Sequence, residues 1–200
     1  IQHTAAYAAD IDQGVKRWFG EYAGWLTTSG PGIGEGRTTN NHSIAYDEQL
    51  IAVALFEGDT ASARRLTAEF HPKRIFRQVE PDGKMPRELA RTRALGYSIY
   101  NVKNMLEICE MVKGLNASFY FITSPDGRSI GSAIDYIVTY LGKKESDFRT
   151  YQQVADWDKC MDDLCWIVKR ASRNDKSRNY GDLFKQYATN LSGSINNLLY

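Results

Sequence analysis

The chain has 200 residues, 42% of them hydrophobic, and its 25 Lys and Arg nearly balance its 24 Asp and Glu for a net charge of +1. That length supports one buried core, and the balance leaves no global field aimed at nucleic acid or at a membrane surface. No apolar run approaches the ~20 residues that a membrane span needs.

Along the chain, helical periodicity dominates. Apolar residues recur at helical spacing from Ala5 to Leu26 (Ile11, Val15, Trp18, Phe19, Tyr22, Trp25, Leu26), and this predicts a first helix with Trp18 and Trp25 in the core. The Gly, Pro and Thr of Thr27 to Asn41 break the pattern and read as a loop. Ser43 to Phe56 reads as a second helix ended by Gly58, and Asp59 or Thr60 can cap a third that runs to about Phe70. Pro72 to Arg87 reads as a loop with a turn at Pro81-Asp82-Gly83, followed by a long helix over Glu88 to Lys113. Pro125-Asp126-Gly127 marks another turn, and helices follow at Ser129 to Leu141, Tyr151 to Ala171 and Tyr180 to Leu199.

No segment alternates as a strand does. Six or seven helices joined by Gly- and Pro-rich loops fit a single all-α domain of antiparallel hairpins. Cys109, Cys160 and Cys165 match neither a metal spacing nor a disulfide framework and read as small buried residues. Local basic spots lie at Arg74 to Arg77 and at Lys169 to Arg178. Tyr46, Tyr100, Tyr120 and Tyr151 lie near loops, where a ring can stack on the C–H face of a sugar. The chain starts at Ile1, as a processed form or a fragment does, and the missing leader says nothing about export.

Two stretches carry chemistry: Thr38 to Ser43 and Pro81 to Ser98. Together they supply the carboxamide of Asn41, the imidazole of His42, the guanidinium of Arg91 and the phenol of Tyr97. That set can bind a carboxylate, remove the proton beside it and protonate a leaving oxygen, which is β-elimination on an acidic sugar. Taking a proton next to a carboxylate builds a dianion, so donors aimed at the developing charge dominate the catalysis. Asn41 and Arg91 suit that task. His42 can act as a base or as a second donor. Arg91 and Tyr97 on one helix would be separated by about 9 Å of rise and about 120° of rotation. A nearby guanidinium would favour the phenolate, helping the tyrosine act as base and then as acid. Each residue also has a plainer reading: Asn41 as an N-cap, His42 in a local first-turn hydrogen bond, Arg91 pairing with Glu88, and Tyr97 packing. Hydrolysis needs two flanking carboxyl groups instead; Glu35, Glu48, Asp82 and Glu88 are available for it, but no pair has a distinguishing context.

The run Asn40-Asn41-His42, then Pro81-Asp82-Gly83 through Pro86, Glu88-Leu89, Arg91-Thr92 and Tyr97-Ser98, resembles the alginate lyase superfamily. The nearest likeness is to polysaccharide lyase family 38, with family 5 alginate lyases more distant. Trp18-Phe19, Trp25-Leu26 and Thr123 to Ser129 also look like that family, and the resemblance runs from about Val15 to Leu141. It implies an (α/α) toroid, an incomplete barrel of helical hairpins around a cleft for polyuronate chains. The 200 residues would then form one domain, the C-terminal part of a larger toroid that an N-terminal segment or a partner chain completes.

The resemblance further implies cleavage of a polyuronate, alginate or glucuronan, that leaves a 4,5-unsaturated uronic acid. Asn41 and Arg91 would neutralise the carboxylate, Tyr97 would be the acid and also a base, and His42 a base or second neutraliser. Asn40, Glu88, Arg93, Tyr100 and Tyr46 are the expected substrate contacts. Arg93 is a second arginine inside the motif, and the longer Arg-to-Tyr spacing of family 5 leaves Tyr100 as a reserve for Tyr97. No metal or other cofactor is required. The expected partner is an acidic polysaccharide, with no nucleic acid and no membrane, in a secreted or periplasmic setting. The alternative from another class is a non-catalytic toroid that binds polyuronate.

Overall fold

A computed structural model describes residues 9–188. Its helices are α1 (Ala9–Thr28), α2 (Gly30–Arg37), α3 (Asn41–Glu57), α4 (Thr60–Phe70), α5 (Phe76–Gln78), α6 (Pro86–Leu89), α7 (Ala94–Val112), α8 (Ile130–Val138), α9 (Trp157–Asn174) and α10 (Tyr180–Tyr187). Among the described residues there is no strand; one isolated bridge joins Arg93 and Gln153. Helix α3 packs against α1, α4 and α7, while α7 packs against α8 and α9, and α9 against α10. Successive helices thus cover one another's apolar faces, the all-α hairpin array expected from the periodicity.

Helix α7 lies at the centre. Its Val102, Met105, Leu106 and Cys109 form an i, i+3, i+4, i+7 stripe in the core, and Ser98, Asn101 and Asn104 are buried as well. A helix covered on most of its circumference has neighbours on several sides, here α3, α8 and α9. All three cysteines are free and buried, and burial pushes the thiols of Cys160 and Cys165 up to about 11.

Several expectations need correction. The Gly-rich segment after α1 is helical, because Ser29 caps α2 by accepting from the Gly32 N–H and Pro31 stands in the first turn. Its glycines serve close approach: a Cβ on Gly32 would lie 2.2 Å from the Leu26 carbonyl oxygen, and one on Gly36 would lie 3.0 Å from the Tyr46 ring. Trp18 and Trp25 are exposed, at 59% and 50%. The stripe of α1 that meets the body is Phe19, Tyr22, Ala23 and Leu26, and the two tryptophans lie one position around from it.

Pro72 does not end the helical path, because a π turn over His71–Ile75 absorbs the proline and the chain stays helical through Gln78. The long fourth helix starts at Ala94, not Glu88. Its first amides are satisfied from afar, Ala94 N–H by the Gln152 carbonyl and those of Leu95 and Gly96 by the Gln153 side chain. Residues 151–156 are accordingly non-helical, and α9 starts at Trp157. The expected start of the first helix at Ala5 and the expected end of the last at Leu199 lie outside the described residues. No described helix is long and apolar enough to cross a membrane.

Candidate active site

The N-terminus of α3 presents the first two residues of interest. Asn40, not Asn41, is the N-cap, and its side chain accepts from the His42 N–H at 3.2 Å. That leaves the Asn41 carboxamide free to turn inward. Its Nδ2 donates to Glu88 Oε2 at 2.7 Å, and its backbone N–H donates to Glu88 Oε1 at 2.6 Å. Glu88, on α6, is only 1% exposed. Burial raises its carboxyl above the ordinary range, and the Asn41 donors and the Arg91 charge offset only part of that rise. Both oxygens accept N–H groups, contacts that favour the ionised form and work against the burial.

The same carboxylate attracts Arg91, whose Nη1 lies 3.8 Å from Glu88 Oε2, an ion pair without a hydrogen bond among the described residues. Arg91 sits in the loop between α6 and α7, so the separation expected along one continuous helix does not apply. The loop folds the guanidinium back over the Tyr97 ring, 3.4 Å from its centroid. Asn41, Glu88, Arg91 and Tyr97 therefore form one connected group. Tyr97 is half-buried in the first turns of α7 and faces a cavity.

His42 stands beside this group and is exposed, with Nδ1 2.7 Å from Glu35 Oε2 on α2. Helix α2 is in turn tied down, because Arg74 donates to the Gly36 carbonyl at 2.9 Å while making a two-pronged pair with Asp47 at 2.7 and 2.8 Å. In the sequence Glu35 reads only as one of four acids available for hydrolysis. The Ser29-Gly30-Pro31 start signal marked its helix, but nothing local tied it to His42.

The cavity beside Tyr97 measures about 400 Å³ and runs between α7 and α9. Tyr100 and Lys103 continue the Tyr97 stripe along α7, and Lys159 faces them from α9. Arg93 borders it and pairs with Asp156. A second cleft of about 340 Å³ is bordered by Arg91, Lys84 and Tyr151. The Arg91–Tyr97 stack thus borders both clefts, Tyr97 on the first and Arg91 on the second. Tyr46 is not among these residues: it is buried with Leu26 and Leu50, and its hydroxyl donates to the Leu26 carbonyl. Tyr120 is likewise buried in the core, so neither ring offers a face to a sugar. Burial, together with the neighbouring Glu107, pushes the Glu48 carboxyl up to about 8, and Asp82 pairs with Lys84. The four acids available for hydrolysis therefore do not pair with one another.

Residues 1–148 match the family model described as alginate lyase. The crystal structure of an alginate lyase from Bacteroides ovatus, at 1.60 Å resolution, is similar with a TM-score of 0.89 and 42% identity, over 93% of this chain and 49% of that one. The chain spans about half the length of that relative. The curated proteins contain no match. With a family model matching well over half of its residues and a fold shared at that identity, the chain belongs to the alginate lyase family.

Proposed function

We propose that the protein is a polysaccharide lyase that cleaves a polyuronate, alginate or glucuronan, by β-elimination. The observation that carries the reading is the connected group Asn41–Glu88–Arg91–Tyr97, with His42 beside it, bordering two clefts. A uronate carboxylate meeting Asn41 and Arg91 would find donors already oriented by Glu88, so little reorganisation is needed as charge develops. A base, His42 or Tyr97, takes the C5 proton. The C5–H electron pair becomes the C4=C5 double bond, the C4–O4 bond breaks with its pair on O4, and the Tyr97 hydroxyl protonates O4. No water enters the products, and the new end carries a 4,5-unsaturated uronic acid.

The two clefts suit a polymer. Sugars on one side of the broken bond would lie along Tyr100, Arg93, Lys103 and Lys159, where aromatic faces alternate with cations. Those on the other side would lie along Lys84 and Tyr151. A secreted or periplasmic location belongs to the same reading, because the polymer is too large to enter a cell intact.

The test is ultraviolet absorbance of the new double bond on mannuronate, guluronate and glucuronate polymers. Tyr97→Phe should lower the rate roughly 10²- to 10⁴-fold while helical circular dichroism is unchanged. Retention of that signal by the variant would remove Tyr97 from the chemistry. Polymer binding without any absorbance change would favour the non-catalytic reading.

A further inference from the structure

His42 has two ring nitrogens, and the fold has committed one. Nδ1 lies 2.7 Å from the Glu35 carboxylate, and among the described residues none hydrogen-bonds Nε2. A carboxylate only accepts hydrogen bonds, so the neutral imidazole must carry its proton on Nδ1, leaving a lone pair on Nε2. Without such a partner a histidine is free to take either tautomer and to turn about its side-chain bonds.

The scaffold behind Glu35 is built for this contact. Helix α2 is seated against α1 and Tyr46 through glycines where a side chain would collide. Its far end is tied by Arg74 to the carbonyl of Gly36, the residue next to Glu35. Arg74 is itself fixed by the buried pair with Asp47 on α3, the helix that carries His42. The carboxylate and the imidazole are therefore anchored to one another through a rigid path as well as through their own contact.

We propose that Glu35 is a positioning residue that holds His42 as its Nδ1–H tautomer, so that Nε2 is a proton acceptor and His42 is the base for C5. This rests on the lyase reading above and deepens it, because a lone pair at Nε2 suits proton abstraction and not donation to the substrate carboxylate. When Nε2 takes the C5 proton the ring becomes cationic, and the Glu35 carboxylate stabilises that cation through the Nδ1–H it already holds. Tyr97 is then left to protonate O4.

The experiment compares the wild type with Glu35→Ala and Glu35→Gln. Long-range ¹⁵N–¹H spectra of the imidazole should show Nδ1 protonated and Nε2 bare in the wild type. Glu35→Ala should abolish that preference and lower kcat on the order of 10- to 100-fold with KM changed less than about twofold, because orientation and not binding is lost. Glu35→Gln, whose amide oxygen can still accept from Nδ1–H, should restore the tautomer and much of kcat. Glu35 is exposed, so folding is expected to be spared in both variants, and thermal melts check it. A wild-type spectrum with the proton on Nε2, or a Glu35→Ala variant with unchanged tautomer and unchanged kcat, overturns the proposal. A wild type inert on every uronate polymer would sink the lyase reading alone, since the spectra still decide what Glu35 does to His42.

Discussion

Asn41 and His42 are neighbours on the first turn of α3, yet they occupy opposite surroundings. Asn41 is 3% exposed and grips a buried carboxylate through two hydrogen bonds, whereas the His42 and Glu35 side chains are 44% and 51% exposed. A contact sealed from water gains strength from the low local dielectric and is costly to break, while an open one is screened and worth little to stability. The difference divides the labour of the site. The buried side sets geometry once, at folding, and the open side is left able to gain and lose a proton.

The largest effect expected from breaking this contrast is at Glu88. Glu88→Ala removes the partner of both Asn41 donors and of Arg91, and should cost about 3–5 kcal/mol of stability in denaturant unfolding. Lyase activity should fall with it, since both carboxylate donors lose their orientation. A loss below 1 kcal/mol, roughly what an exposed pair gives, would mean that this side is not the rigid one.

His42 and His71 sharpen the contrast further. His71 is 1% exposed, packs edge-on against Phe119 at 4.5 Å, and among the described residues finds no hydrogen-bond partner for either ring nitrogen. Burial pushes it down to about 4 from the ordinary 6.5. Because the unfolded chain binds that proton more readily, stability is full above pH 6.5 and is lost as pH falls toward about 4. The loss should approach about 3 kcal/mol, and His71→Phe should flatten that part of a stability-versus-pH curve. An unchanged acid limb in the variant would assign the pH dependence to other groups.

The smallest effect is expected on the open cleft. Arg93 and Asp156 are each 46% exposed, so Arg93→Ala should change stability by less than about 1 kcal/mol. It should nonetheless raise KM on a polyuronate several-fold with kcat nearly unchanged, as removal of a uniform binding contact does. An effect on kcat equal to that on KM would move Arg93 from the flanking sugars to the reacting one.

Much of this was written locally. The helices from α3 to α4 and at α8 follow from apolar spacing and from their caps, Asp59 for α4 and Ser129 for α8. The turns at Pro81-Asp82-Gly83 and Pro125-Asp126-Gly127 form where expected, with Gly83 and Gly127 at φ of +84° and +94°. The site residue types were legible too, because a carboxamide, an imidazole, a guanidinium and a phenol at loop-to-helix boundaries are poor material for a core.

What no window of sequence could hold were the contacts that span it. The start of α7 depends on Gln153, 58 residues from Leu95, and the inward turn of Asn41 depends on Glu88, 47 residues away. Moving that helix start freed Arg91 from the helix and let it close over Tyr97, and packing of α2 brought Glu35 to His42. Periodicity and capping are decided within a few residues, so the sequence by itself determined the all-α architecture and the chemical inventory. Which groups met was decided by tertiary structure, since a buried donor or charge must find its partner wherever the packed chain supplies one.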